Sequence, residues 1–215
     1  PIEVSPSQKV VIFPGKGELL VKKNLDFVFT GAVMAGKFEA YVNEANFEYV
    51  KFRINLIDVR SALFSVAPIF GGNGLQPMYS HFEDFKGYIE IDHPSNRSGR
   101  DTKHYPQYPL LTSTDDSYVF YDQPYIYDGV YDSTDFYFKV DAFEFDSLDN
   151  FDERAMAFDG EFRSAGIFPV FREKITIQED YSFGFKTKAP GDAFDFYGDY
   201  AKFDNEIKLS NEGLR

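Results

Sequence analysis

The chain has 215 residues with 35 acidic and 22 basic side chains, a net charge of −13, and 25 Phe and 15 Tyr but no Trp and no Cys. The absence of thiols excludes disulfides, thiolate nucleophiles and cysteine-ligated zinc. The acidic balance, with a pI of about 4.6, argues against nucleic acid and anionic lipid surfaces, which need a basic footprint. No apolar run reaches the roughly 18 residues of a membrane-spanning helix.

A chain of this length buries a real core, as one large β domain or two small ones. It starts at Pro1, without Met or a signal peptide, and the expectation is a mature or excised piece of something longer. The charge is uneven: residues 1–60 carry eight basic and seven acidic side chains, whereas residues 115–160 carry two and thirteen.

In chain order, residues 10–60 read as short strands punctuated by Gly: Val10–Phe13, Glu18–Val21, Phe27–Phe29, Phe38–Val42 and Phe47–Ile57. In the last run Phe47 and Tyr49 share one face while Val50, Phe52, Ile54 and Leu56 take the other. That switch of parity predicts a bulge, or a corner where the chain turns onto a new sheet. Ala62–Phe70 is apolar and ends in the turn Gly71-Gly72-Asn73-Gly74. Residues 79–88 fit a strand or a short helix, and residues 92–109, with three Pro, form a long polar loop.

Residues 118–145 return to strands. In Asp135–Asp141, Phe136, Phe138 and Val140 fall on one side, and Tyr137, Lys139 and Asp141 on the other, the period of a half-buried strand. Parity switches again at Ala142, before Phe143 and Phe145. Ser147 caps one expected short helix with Leu148, Phe151 and Ala155 on a face. Residues 158–209 are strands broken at Gly166–Pro169, Ala189–Asp192 and Gly198. One internal echo, F-x-G followed by A-G-x-F, links Phe29–Phe38 with Phe158–Phe168 and predicts equivalent turns in two units. The fold class expected is all-β, sandwich-like or solenoid-like, with at most two short helices. Two β-rich segments are expected, 1–110 ending in the polar loop and 111–215 carrying the acidic belt, or one continuous domain.

The stretches IDHPSNRSGR (91–100), YPQYPLLTSTDDSYVFYD (105–122), DFYFKVDAFEFDSLDNF (135–151), FRSAGIFPVF (162–171), DYSFGFKT (180–187) and IKLSNEGLR (207–215) resemble segments of very large, β-rich cell-envelope proteins of Bacteroidetes. The resemblance covers roughly residues 25–215. It implies an internal slice of a long extracytoplasmic chain, partnered by other envelope proteins or by the remainder of that chain. The family has no established catalytic residues to carry over.

Candidate chemistry is sparse. Asp115, Asp116, Asp132, Asp135, Asp146 and Asp149, with Asp152, cluster hard oxygen ligands suited to Ca²⁺, but the D-x-D-x-D-G loop is missing; the alternative is a solvated acidic face that keeps the chain soluble. Ca²⁺ is the only cofactor that these residues suggest. His93 and His104 lie near Asp92 and Asp101, and with His81 they lack metal-ligand spacing. Tyr118, Tyr121, Tyr125 and Tyr127, with Tyr131, form a cluster suited to protein or carbohydrate contact if exposed, and capping of strand edges beside the Phe core if not. No G-x-S-x-G occurs, a carboxylate pair alone does not make a glycosidase, and Asn96-Arg97-Ser98 is a glycosylation sequon that arises easily by chance.

The expectation is a non-catalytic structural or protein-interaction segment of a large envelope or surface protein. Two alternatives remain open: a curved β-sheet groove that carries lipid in envelope transport, and a Ca²⁺-dependent carbohydrate-binding module. Alternation of Phe with polar residues serves a closed core and an open trough equally well.

Overall fold

The structure, a computed structural model, describes residues 1–188, 194–198 and 200–215. Among these residues the fold is all-β, 49% strand and 6% helical. Helix is confined to three-residue 3₁₀ turns at Gly15–Gly17, Pro94–Asn96, Tyr127–Gly129 and Glu153–Ala155. The strands, in chain order, are β1 (Ile2–Ser5), β2 (Val10–Pro14), β3 (Leu20–Val21), β4 (Phe27–Ala35), β5 (Phe38–Glu48), β6 (Arg53–Val66), β7 (Gln76–Pro77), β8 (Gly87–Glu90), β9 (Leu110–Ser113), β10 (Ser117–Phe120), β11 (Phe136–Val140), β12 (Glu144–Phe145), β13 (Ala157–Ser164), β14 (Phe171–Ile177), β15 (Phe183–Lys188), β16 (Phe194–Phe196), β17 (Ala201–Phe203), β18 (Glu206–Ser210) and β19 (Gly213–Leu214).

Two compact units form from interleaved stretches of chain. Unit 1 takes Pro1–Pro77, Phe82–Asp116 and Ala142–Asp152; unit 2 takes Met78–His81, Ser117–Asp141 and Glu153–Arg215. Leu110, the end of the first expected segment, opens β9 inside unit 1.

Unit 1 is a ten-stranded antiparallel sheet in the order β1-β2-β4-β5-β6-β8-β9-β12, with β3 on β4 and β7 on β6. Register shifts within β4–β5 and β5–β6 bend the long strands, as bulges do. The buried face stacks aromatic rings: Phe64 lies 5.1 Å from Phe38, 5.3 Å from Phe145 and 5.8 Å from Phe151, centroid to centroid. Such tilted and edge-on contacts add about 0.5–1.5 kcal/mol per pair to the burial itself.

Two sequence expectations are corrected here. Phe47–Ile57 is not one strand: β5 ends at Glu48, which pairs with Arg53, and Phe52 at φ 52° donates its N–H to the Tyr49 carbonyl. The first parity switch is therefore a hairpin turn within one sheet. The expected helix after Ser147 is absent too. Leu148–Asn150 is a turn, and the 3₁₀ turn at Glu153–Ala155 follows it. Leu148 and Phe151 are buried, but Ala155 is exposed and Met156 is buried in its place. The chain leaves unit 1 at Asp152, so no single helical face extends across this stretch. By contrast, the switch at Ala142 is a change of sheet, from β11 in unit 2 to β12 in unit 1.

The polar loop is ordered by a buried carboxylate. Asp92, 1% exposed, accepts hydrogen bonds from Gln8 Nε2 at 2.7 Å, from the His93 N–H at 2.7 Å and from Asn96 Nδ2 at 3.1 Å. Asn96 in turn bonds both the N–H and the C=O of Asp101, so the sequon amide is buried and committed. His93 stacks on Tyr105 at 4.5 Å and meets Ser95 Oγ at 2.6 Å, while His104 pairs with Asp101 at 2.8 Å.

Unit 2 holds a seven-stranded antiparallel sheet, β10-β11-β13-β14-β15-β18-β19, and the hairpin β16-β17. Its core is again aromatic. Phe162 lies 5.4 Å from Phe136 and 5.1 Å from Phe185, and Phe158 lies 5.5 Å from Phe183. Both copies of the sequence echo sit at hairpins. Gly36-Lys37 is the two-residue turn between β4 and β5, closed by Ala35 opposite Phe38; Ala165–Val170 is the longer connection between β13 and β14. The break read at Ala189–Asp192 lies outside the described residues.

Gly160 in β13 faces Val140 of β11, and the Phe138 ring occupies the space where its side chain would be. A Cβ at this position would overlap both the Lys139 carbonyl oxygen and Phe138 Cε1. Gly160→Ala is therefore expected to destabilise the protein by about 1–3 kcal/mol or more, the usual cost of overpacking a closed core. Urea unfolding read by far-UV circular dichroism measures it; an unchanged midpoint would mean that the ring does not pack on the glycine.

Candidate functional site

A hollow of about 380 Å³ in unit 2 is lined by Tyr79, Tyr125, Asp180, Asn211 and Glu212. These five residues come from four separate places in the sequence, and Tyr79, Asp180, Asn211 and Glu212 are placed by specific backbone constraints. Asp180 lies in the connection from β14 to β15, where Tyr181, at φ 59°, donates its N–H to the Gln178 carbonyl. Asp180 Oδ1 accepts from the Ser182 N–H at 3.1 Å and from Ser182 Oγ at 2.5 Å. Asn211 and Glu212 form the turn from β18 to β19; the Asn211 N–H donates to Ser182 Oγ and the Glu212 N–H to Ser210 Oγ, both at 3.1 Å. Ser182 thus ties the two turns together.

Tyr79 belongs to the short segment Met78–His81. Its N–H donates to the Tyr181 carbonyl at 2.9 Å, and Ser80 Oγ accepts from the Phe183 N–H at 2.8 Å. The Phe183 carbonyl accepts from the Tyr121 hydroxyl at 2.8 Å. Tyr79, Ser80 and Tyr121 are thereby fixed against the start of β15, and Tyr79 meets Tyr181 edge-on at 6.5 Å.

The electrostatics of the hollow are one-sided. Asp180 Oδ2 is shut off from solvent and has no hydrogen-bond partner, whereas Glu212 is engaged by Arg215 at 2.8 Å. Tyr79 and Tyr125 present 55% and 63% of their surface to solvent. Partial burial raises the Tyr125 phenol above its ordinary value, and Tyr79 and the Asp122 charge push it the same way. The hollow is walled by two tyrosines and by Asp180 and Glu212, with Asp180 Oδ2 itself closed to solvent. Comparison with family models, with curated proteins and with solved structures yields no match.

The sequence-predicted tyrosines separate. Tyr121 is fully buried and serves the core, so it has no face to offer a ligand. Tyr125 lines the hollow. Tyr127 stacks on Tyr131 at 6.1 Å, and Tyr131 stacks on Phe136 at 3.7 Å and accepts the Leu214 N–H at 2.9 Å. Tyr118 stacks on Phe120 at 5.9 Å along β10.

The acidic belt also divides. Asp115, Asp116, Asp146 and Asp149 belong to unit 1, and Asp132 and Asp135 to unit 2. Asp115 and Asp116 share a second hollow, about 440 Å³, with Asp58, Asp84 and Lys86. Asp149 pairs with Lys9 at 3.6 Å. Asp132 accepts from the Thr134 N–H and hydroxyl, which hold its carboxyl below the usual range. Among the described residues no group of three or more His, Asp or Glu is arranged to hold a metal ion.

Asp180, Asn211, Glu212 and Tyr79 were not legible as a site. Asp180-Tyr181-Ser182 and Ser210-Asn211-Glu212-Gly213 read only as turns, and nothing local links either of them to Tyr79.

Burial pushes the Tyr121 phenol far above its ordinary value of 10.0, and the nearby Asp180 charge adds to this. Below pH about 10 both the folded and the unfolded chain hold the proton. Above it only the unfolded chain releases it, so stability falls as pH rises. Tyr121→Phe is expected to cost about 1–3 kcal/mol at neutral pH by leaving the Phe183 carbonyl unpaired, and to flatten the alkaline loss. Urea midpoints for both proteins from neutral pH to about pH 11 test this; parallel alkaline limbs would refute it.

Proposed function

We propose that this chain is a non-catalytic structural and protein-interaction segment of a large cell-envelope or surface protein, acting outside the cytoplasm alongside other envelope proteins or the remainder of a longer chain. One observation carries the reading. Phe136, Phe138 and Phe183 are 0% exposed and Phe185 is 1% exposed. The alternating Phe rows that could have lined a lipid trough pack on one another, with Phe138 6.4 Å and Phe162 5.1 Å from Phe185. A groove for lipid keeps such rows accessible; a scaffold closes them. The likeness of its sequence stretches to envelope proteins supports the location, and the exposed tyrosines around the unit 2 hollow supply a surface suited to contact with a partner.

Phe138→Ala separates scaffold from groove. In a closed core it is expected to cost about 3–5 kcal/mol and to leave lipid association unchanged at background. Chemical denaturation gives the first quantity, and mass spectrometry of organic extracts from purified protein gives the second. Stoichiometric copurified phospholipid together with a stability cost under about 1 kcal/mol, the range of tolerated core changes, would replace the scaffold reading with transport.

A further inference from the structure

We infer that Asn73 is a site of spontaneous covalent modification, at which the Gly74 backbone nitrogen attacks the Asn73 side-chain amide and converts it to aspartate and isoaspartate. The chemistry needs only the loop that carries the pair and is independent of the scaffold role above. Asn is a thermolabile residue. Its cyclisation onto the next backbone nitrogen requires that nitrogen to be unhindered and uncommitted, and glycine, lacking Cβ, hinders it least. The chain has nine Asn, and only Asn73 precedes a glycine.

The fold leaves this pair free and holds the comparable ones. Asn73 and Gly74 lie in the connection from β6 to β7, and both are exposed. No atom lies within 4 Å of the place a Gly74 Cβ would take. Among the described residues neither the Asn73 amide nor the Gly74 N–H has a hydrogen-bond partner. The Asp-Gly pairs, which could cyclise in the same manner, are restrained. The Gly129 N–H after Asp128 donates to the Ile126 carbonyl at 2.9 Å, and Gly160 after Asp159 is fixed in β13 between β11 and β14. The Asn96 amide is committed to Asp92 and Asp101.

In the reaction the Gly74 nitrogen bonds to Asn73 Cγ and gives up its proton. The Cγ–Nδ2 bond breaks, and the side-chain nitrogen leaves as ammonia. Water then opens the cyclic imide. Opening at Cγ leaves aspartate; opening at the Asn73 backbone carbonyl leaves isoaspartate, with one more carbon in the main chain. Residues 61–80 contain no Asp, Glu, Lys or Arg, and Phe70 and Leu75 on either side of the pair are 78% and 51% exposed. Either product therefore places a carboxylate in an uncharged surface loop with apolar flanks. Such a loop tip accepts the change without disturbing packed strands.

Incubation of the full native chain in mildly alkaline buffer made with heavy-oxygen water, followed by peptide mapping with fragmentation that separates isoaspartate from aspartate, tests the assignment. Heavy oxygen is expected at residue 73 in both products. It should accumulate there at least about tenfold faster than at any other Asn, the effect of a modest steric barrier at the attacking nitrogen. The rate at residue 73 is expected to be the same in the native chain and in urea. Gly74→Ala is expected to slow the conversion by a similar factor. Because Gly74 has φ 92° and Ala could shift the loop, Asn73→Gln provides a second variant; it must close a larger ring and is expected to lose the product. Asn73→Asp is expected to leave the thermal midpoint unchanged. Conversion that is much slower in the native chain than in urea overturns the inference, as does aspartate formed without isoaspartate. Conversion that persists unchanged in both Gly74→Ala and Asn73→Gln overturns it too, and a lower midpoint for Asn73→Asp shows that the fold engages the amide and has the same consequence.

Discussion

Phe183 opens β15 on the side where no strand lies beside it: β14 pairs with it through Ile177, and β18 joins only from Phe185 onward. Its N–H and C=O would be orphaned next to a packed aromatic core, which costs as much as a lost hydrogen bond for each group. The Ser80 and Tyr121 hydroxyls take the place of the missing strand. Because those two residues come from separate parts of the chain, this single repair ties three sequence segments into unit 2. It also sets the geometry of the hollow, since Tyr79 precedes Ser80 and Asp180 lies two residues before Ser182 at the start of the same strand.

Both units solve the problem of stability without a covalent staple in the same way. Phe rings fill alternate strand positions and contact one another at tilted and edge-on angles, and where a ring crowds the neighbouring strand a glycine gives way, as Gly160 of β13 does beside Phe138 of β11. Some polar groups of the interior are fully engaged. Asp92 is buried but accepts hydrogen bonds from three residues, and it converts an 18-residue stretch rich in Pro and charge into a fixed structure. Glu48 behaves similarly at the β5–β6 hairpin. Partial burial acts to raise its pKa, but the hydrogen bonds from Lys51, Asn55 and Arg53 outweigh that and hold it at about 2. Asp180 Oδ2, by contrast, is closed off and not engaged, as are Arg53 Nε, Thr112 Oγ1 and Ser117 Oγ.

The net charge of −13 is spread so that it does not define a site. The acidic residues of the middle segment divide between the two units, and those with resolved contacts serve turns and surface pairs, as Asp132 does for Thr134 and Asp149 for Lys9. A high density of carboxylates in sequence is a poor guide to ligand binding, because exposed carboxylates are solvated and screened. Closure of a carboxylate oxygen to water, as at Asp180 Oδ2, is a separate property. That property depends on the surrounding fold and not on the number of acidic neighbours.

The sequence by itself determined the class of structure and the composition of the core. Period-2 alternation in Phe136–Val140 places Phe136, Phe138 and Val140 inside because successive side chains on a strand point to opposite faces, and all three are buried. The inversion of the apolar face at Ala142 marked a bulge or a corner there, and the structure makes it a change of sheet. The sequence did not distinguish a hairpin from a bulge at Tyr49–Phe52, because both invert the face, nor a turn from a helix at Leu148, because two apolar residues three apart suit either. Tertiary structure alone decided which tyrosines are exposed. Tyr121 and Tyr125 lie four residues apart in similar surroundings, yet one is sealed beneath Phe183 and the other walls a cavity. The same holds for the hollow itself, which joins residue 79 to residues 125, 180, 211 and 212. Contacts of that sequence separation follow from the pairing of strands, and local patterns carry no record of which strands will meet.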